Sequence, residues 1–405
     1  MVPGESLSVT ALIPWWHWLL WFLCTAALAY LAFALWVLTR WRPRLVARDL
    51  SGQCSSSPPQ EMDKSWPAVS LLKPLHGLEA GLYENLRSFC SQDYPSYEIV
   101  FGVQDPADPA IAVVERLRRE YPDLPIALSI SAVKVGSNPK VNNLAGIYAL
   151  CHYDHLVISD ADIAVADDYL RTLLRPLQDD GVGVVTCLYR GIPVAGFWSR
   201  ILAAQINESF LPSVLVAERL DPTIFCGGAT MALRRSTLEG IGGWAALGAH
   251  LADDYQLGAL SRAQGKRTVL SPYVVDTMVH EADCSAFYQH ALRWSRTTRT
   301  VQPVGHTLAF ISYPLPVVAL LAPGAGGPGL VFLVVVLGLR LVYHYAILKK
   351  LRITNSEGVL DAFLADGMGL LIWFHALFAR RIRWRGDRFA IDPKGRMGGH
   401  DGAQQ

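Results

Sequence analysis

No Cys-x-x-Cys pair occurs anywhere in the 405 residues, and the seven cysteines (Cys24, Cys54, Cys90, Cys151, Cys187, Cys226 and Cys284) are scattered and odd in number. That excludes the usual zinc spacings and an even disulfide framework, and it fits a reduced, cytoplasmic domain. Charge imbalance is lacking as well. With 36 basic and 35 acidic residues the formal net charge is +1, so no nucleic-acid partner is expected. His152, His155 and His250 share no recognisable metal-ligand spacing, and no internal repeat is visible.

Long apolar runs, by contrast, are plentiful. Residues 15–39 are almost free of charge and long enough to cross a hydrocarbon core of roughly 30 Å. Trp15, Trp16 and Trp18 form an interfacial belt at one end, and Arg40, Arg42, Arg44 and Arg48 follow the other. By the positive-inside rule the amino terminus lies outside and residue 40 onward lies in the cytoplasm. The run is too long for a cleaved signal peptide and no basic residue precedes it, so residues 1–44 read as a signal anchor. Residues 45–67, rich in Ser and Pro, read as a linker, and 68–303 as the soluble domain.

Residues 304–380 hold further membrane segments, with candidate spans at 307–322, 327–348 and 360–379. Lys349, Lys350 and Arg352 place the end of the second, and Asn355 after it, on the cytoplasmic side. The basic tail, 381–405, opens with "RRIRWRGDR" at 380–388 and should be cytoplasmic too, yet three crossings would leave it outside. One segment therefore does not span. Asp361, Asp366 and Gly367 favour a re-entrant or interfacial placement of the last one; Pro314 and Pro316 make the first the other suspect.

Between these regions short apolar runs alternate with helix-like stretches. "AVSLLKP", "YEIVFGVQ", "PIALSI", "HLVISD", "VGVVTCL" and "ATMAL" read as strands; "GLYENLRSFC", "AIAVVERLRREY" and "DDYLRTLLRPL" read as helices. The alternation predicts an α/β domain with a mostly parallel sheet covered by helices, its ligands beyond the carboxyl ends of the strands. One such end carries Asp160-Ala161-Asp162. Two carboxylates there repel each other unless a cation intervenes, and a hard divalent ion bridging a diphosphate would serve. An isolated D-x-D also begins turns, but this one has company. "NPKVNNL" spaces Lys140 and Asn143 toward one site, and "CGGATMALRR", "HLADDYQLG" and "QHALRWSRTTR" follow. Asp253-Asp254 could simply cap a helix, and Arg293, Arg296 and Arg299 recur at the spacing of an interfacial helix.

In this order the elements resemble inverting glycosyltransferases of the GT-A fold, over about residues 69–300. "VQDPADPA", "SDAD", "ADDY" and "HALRW" resemble the three aspartate motifs and the (Q/R)-x-x-R-W motif of the ceramide glucosyltransferase branch. "LKPLHGLEAGLYENLRSF", "NPKVNNL" and "RWRGDRF" strengthen that likeness. "FLPSVLVA", "LADDYQLG", "VVDTMVHE" and "RWSRTTRTVQPVGH" look like the bacterial hopanoid-biosynthesis glycosyltransferases. One departure stands out: the first position of the last motif is His290, with Gln289 one place early.

The resemblance implies transfer of a sugar, N-acetylglucosamine from its UDP donor, to a bacteriohopanetetrol-type membrane lipid at the cytoplasmic face of a bacterial inner membrane. Pro74 and Asp105 would hold the uridine, with Lys140 and Asn143 nearby. Asp160 and Asp162 would position the diphosphate and its Mg²⁺ or Mn²⁺. Asp254 would be the general base, and Arg293 and Trp294 would contact phosphate and sugar or lipid. Gly228, Asp253 and His290 fall on the acceptor side. Ceramide glucosylation from UDP-glucose is the alternative, and a processive polysaccharide synthase a more distant one. His280-Glu281 reads as a structural pair.

Overall fold

The computed structural model describes residues 15–46, 66–222, 225–353, 358–379, 381–384, 387–392 and 394–398. Arg48, most of the 45–67 linker, Asn355, and Arg385-Gly386 of the terminal motif lie outside these residues.

Nine strands form the central sheet: β1 (Arg44–Leu45), β2 (Val69–Pro74), β3 (Tyr97–Val103), β4 (Ile126–Ile130), β5 (His155–Ser159), β6 (Ile163–Ala164), β7 (Val182–Pro193), β8 (Thr230–Arg234) and β9 (Arg267–Val279). Their order is β1-β9-β7-β8-β5-β2-β3-β4, with β6 paired to β9. β8 runs antiparallel to both neighbours and β6 antiparallel to β9; the remaining pairings are parallel.

Successive strand residues face opposite sides, so an unbroken apolar run supplies two cores at once. Leu71, Ile99 and Val157 pack on one face with Phe89, Val114 and Leu170. Their neighbours Leu72, Val100 and Ile158 pack on the other with Val141, Leu144 and Ile147. All six expected strands form. β9 was not expected, because Pro272 interrupts its pattern. The register with β7 jumps from Thr186↔Leu270 to Leu188↔Val274, which takes the proline out of the ladder it cannot donate to.

Trp15–Arg40, Gly326–Leu351 and Val359–Ala376 are long and apolar enough to cross a membrane, and Pro303–Ser312 with Pro314–Gly324 form a pair bent by 72°. Trp18, Phe22, Leu320, Val334, Leu371 and Phe374 on these segments are exposed, as lipid-facing side chains are. The sequence favours a re-entrant or interfacial last segment; the structure gives it a helix long and apolar enough to cross a membrane. Val359–Ala376 is one unbroken helix, and its acids are paired: Asp366 accepts from Arg340 at 2.8 and 3.1 Å, and Asp361 from Arg200 at 2.9 Å. The break falls instead at the prolines of the first segment.

One buried guanidinium helps fasten the apolar helices to the sheet. Arg190 on β7 pairs with Asp276 on β9, donating Nε at 2.5 Å. It also donates to the carbonyls of Leu351, which ends Gly326–Leu351, and of Val46, just past β1. β1 itself extends the sheet by pairing with β9. Helix Cys284–Val301, capped by the Asp283 carboxylate on Ala286 N–H at 2.8 Å, packs Phe287, Ala291 and Leu292 against Ala365, Ile372 and Ala376. The chain then returns to the domain built on the central sheet. Arg381–Trp384 and Asp387–Ala390 form a hairpin, and Ile382, Phe389 and Met397 bury themselves with Leu251.

Candidate active site

β5 delivers the chain to Asp160 above a fully buried lysine. Lys73 Nζ donates to the Asp160 carbonyl at 2.6 Å and to Ser159 Oγ at 3.3 Å, and lies 3.7 Å from the Phe89 ring centroid. Burial pulls its pKa down to about 7, against the attraction of Asp160 and Asp162. The Asp160 carboxylate meets Lys140 Nζ at 2.6 Å. Asp162 Oδ2 accepts from Thr277 Oγ1 at 2.5 Å, where β6 runs beside β9.

Lys140 opens helix Pro139–Tyr148. The Asn138 side chain caps that helix, accepting from Lys140 N–H at 2.8 Å and Val141 N–H at 3.2 Å. Its amide nitrogen reaches the other way, to the His250 carbonyl at 2.8 Å and Asp253 Oδ1 at 3.4 Å. One asparagine thus ties the lysine to the acidic pair. Asp253 and Asp254 do begin a helix, Asp253–Ala263, where Asp254 Oδ1 accepts from the first-turn Tyr255 N–H at 2.7 Å. Burial raises both carboxyls; Asp254, with Asp253 beside it, is pushed up to about 7. Gly228 allows this crowding. A Cβ there would lie 3.0 Å from Asp254 Oδ2 and 3.4 Å from Lys140 Nζ.

The arginine–tryptophan helix closes the other side. His290 Nδ1 lies 2.7 Å from Glu281 Oε1, and its ring meets Trp294 edge-on at 4.2 Å. Arg293 lies over the Trp384 ring at 5.5 Å, so the C-terminal hairpin backs the motif. Tyr189 was missed from sequence. It stacks on Phe210 at 4.9 Å and stands 6.4 Å from Trp294. Its phenol is held well above its ordinary pKa by burial first, then by Asp254, Asp162 and Asp160.

Pro74, Asp105 and Asn143 stand at the ends of β2 and β3. Adjacent strands lie about 5 Å apart, so β3 is about 10 Å from β5, a separation suited to a nucleoside whose diphosphate reaches the D-x-D. Asp105 is exposed and accepts from Ala107 N–H at 2.8 Å. Asn143 does not offer its amide nitrogen to a ligand: it donates to the carbonyls of Leu75 at 3.1 Å and Gly102 at 2.9 Å, clamping the two strand ends. Asp108, not singled out from sequence, accepts from Gly77 N–H through both oxygens at 3.0 Å and so pins the turn after Pro74. Asn138 and Thr277 were likewise missed, and Glu281, read with His280 as a structural pair, stands against His290 at 2.7 Å. Only their fold-dependent partners reveal them.

The carboxylate cluster fits a hard divalent cation. Asp160 and Asp162 could supply oxygen donors, and burial first, then Asp160, raises the Asp162 carboxyl, so an added cation beside it would be favoured. Among the described residues no three His, Cys, Asp or Glu side chains form a complete metal cage. One or two carboxylates completed by substrate phosphates is how Mg²⁺ is usually held.

Residues 19–397 match glycosyl transferase family 21. Ceramide glucosyltransferase 1 of Caenorhabditis elegans is 25% identical over 347 residues, covering 83% of this chain and 74% of the nematode protein. Beta-monoglucosyldiacylglycerol synthase of Trichormus variabilis is 26% identical over 194 residues, 46% of this chain and 39% of that one. Among solved structures, the mannosyltransferase PcManGT of Pyrobaculum calidifontis, in complex with GDP-Man and Mn²⁺, superposes with a TM-score of 0.54 at 20% identity, covering 88% of this chain and 98% of that one. At that identity the likeness speaks for the fold, a GT-A-like sheet. With the family match spanning most of the chain, the conclusion is direct: this protein belongs to glycosyl transferase family 21 and is a glycosyltransferase.

Proposed function

We propose that the protein transfers one sugar from a UDP-linked donor to a hydroxyl of a membrane lipid, with inversion, at the cytoplasmic face of a bacterial inner membrane. The observation that carries this reading is the position of Asp254. It is a half-buried carboxyl pushed up to about 7, beside Lys140 and the D-x-D, in a chain with helices long and apolar enough to cross a membrane. A base poised near neutral pH suits deprotonation of an alcohol as it attacks.

Asp254 takes the proton from the acceptor hydroxyl, whose oxygen bonds to the anomeric carbon from the face opposite the donor phosphate. The bond from that carbon to the phosphate oxygen breaks, and its electron pair leaves with UDP. Lys140 and Arg293 would meet the added negative charge. Asp160 and Asp162 would hold a divalent cation, Mg²⁺ or Mn²⁺, which supplies Lewis-acid neutralisation of the leaving diphosphate when bound. No covalent enzyme intermediate is needed.

For the substrates we favour N-acetylglucosamine and a bacteriohopanetetrol-type hopanoid, on the motif resemblance. Glucose and ceramide fit as well, and the names of the relatives favour them. Membranes containing the protein, incubated with UDP-N-acetylglucosamine or UDP-glucose and extracted lipids, should yield one glycolipid identifiable by mass spectrometry. A ladder of polymer would point to a processive synthase, and transfer only to water-soluble acceptors would overturn the lipid assignment.

A further inference from the structure

Glu281 lies two residues beyond the end of β9 and is 7% exposed. Its N–H donates to Ser199 Oγ at 2.8 Å, which fixes the backbone, and its carboxylate Oε1 lies 2.7 Å from His290 Nδ1. On the same helix Trp294, one turn on, meets the imidazole edge-on at 4.2 Å. The ring is therefore held at one nitrogen and along one side. A carboxylate facing Nδ1 accepts the proton placed there, and a neutral imidazole can carry only one. Nε2, at the far edge, then keeps its lone pair. Burial holds His290 below its ordinary pKa and Arg293 adds to that, against the pull of Glu281, and this net lowering favours the neutral ring. Asp162 and Arg293 are among its electrostatic neighbours, which places the ring at the margin of the sugar-transfer site.

We propose that Glu281 is a positioning residue: it locks His290 in the tautomer whose Nε2 accepts a hydrogen bond from a hydroxyl of the transferred sugar or of the lipid acceptor. This rests on the glycosyl-transfer reading of the site. It also accounts for the histidine at the first position of the arginine–tryptophan motif. Glutamine there offers an amide oxygen as acceptor, and a bare histidine could present either nitrogen. Only with Glu281 behind it is His290 committed to accept.

Two measurements test this. The full-length protein, labelled with ¹⁵N-histidine in lipid nanodiscs, should show His290 protonated at Nδ1 and bare at Nε2, with the resonance assigned by its loss in His290→Gln. A proton on Nε2 would overturn the proposal in the unmutated protein, whatever any variant does. The second is a double-mutant cycle on transfer kinetics. Glu281→Ala should lower kcat/KM about 10–100-fold, as loss of a partner that orients an imidazole does. In the His290→Gln background the same change should cost less than about twofold, the tolerance for independent sites. An equal loss in both backgrounds would make Glu281 a plain structural residue and sink the idea. A rise in KM for the nucleotide sugar assigns the hydroxyl to the donor; a rise in KM for the lipid assigns it to the acceptor. Absence of any transfer would count against the reaction assigned to the site while leaving the protonation readout intact.

Discussion

Asp254 and Asp162 are both carboxylates of one cluster, yet their surroundings give them different work. Asp162 is tied to Thr277 beside the D-x-D turn, while Asp254 sits under Gly228 at the start of its own helix. Asp162→Ala should weaken binding of UDP with Mg²⁺ or Mn²⁺ as well as turnover. Asp254→Asn keeps the shape but cannot take a proton, and loss of a general base typically costs about 10²–10⁴-fold in rate. Its affinity for UDP should stay near that of the unmutated protein. Calorimetric titration of UDP with the metal, beside single-turnover transfer, separates the two. Near-normal turnover of Asp254→Asn would pass the role to Asp253. The pH dependence follows from the same group. Asp254 works as a base only when ionised, so kcat should rise with pH through about 7 and level off above it. Stability should move oppositely. The native state holds this proton more tightly than an unfolded carboxyl titrating near about 4, so its contribution is present below about pH 4 and lost as pH rises toward 7. An acid-to-neutral series of both rate and unfolding midpoint checks the pair of signs. These carboxylates were legible because their residue types and order carry the chemistry. Asn138 and Glu281 were not, since a lone asparagine or glutamate acquires meaning only when the fold sets it against Asp253 or His290.

Strands with uninterrupted apolar runs announced themselves, as β2 and β5 did, because burial on both faces leaves no other composition available. β9 did not, since Pro272 breaks its pattern and only the register shift against β7 makes room for it. The C-terminal hairpin was hidden for another reason. "RWRGDRF" reads as a basic tail, while its fold depends on a distant partner: Met397 N–H donates to the Ala249 carbonyl at 2.8 Å and Leu251 N–H to the Gly395 carbonyl at 3.0 Å. Ser137 Oγ donates to the Met397 carbonyl at 2.8 Å, so the same segment braces the loops that carry both Lys140 and Asp253. Trp384 of this hairpin backs the Arg293 guanidinium. Cation–π contacts contribute about 0.5–2 kcal/mol, equivalent to roughly 2–30-fold in an equilibrium constant. Trp384→Ala should therefore raise KM for the nucleotide sugar by up to about that factor, with a lowered unfolding midpoint because Trp384 also packs on the hairpin cluster. An unchanged KM would detach the hairpin from donor binding.

Across the whole molecule the apolar helices and the sugar-transfer domain are joined through charges that hydropathy alone marks as misplaced. Arg340 lies in the middle of Gly326–Leu351 and is 1% exposed. It donates Nε and Nη2 to Asp366 and Nη1 to Glu208 at 2.6 Å. Glu208 sits in the π-helical turn Ile206–Phe210, and His344 Nδ1 lies 2.8 Å from its other oxygen. An uncompensated acid inside an apolar segment argues against spanning, but Asp366 is compensated; its partner is 26 residues away on another helix. The same pairing makes a sharp prediction. Arg340→Met leaves Glu208 and Asp366 buried without their cation, and breaking a buried pair typically costs about 3–5 kcal/mol. The triple variant Arg340→Met, Asp366→Leu, Glu208→Gln removes the stranded charges as well and should recover much of that loss, since apolar replacements of whole buried networks are often neutral or better. Equilibrium unfolding in mixed detergent micelles would measure both. Equal destabilisation of the single and triple variants would mean that the network's hydrogen-bond geometry, not its charge balance, holds the helices to the domain.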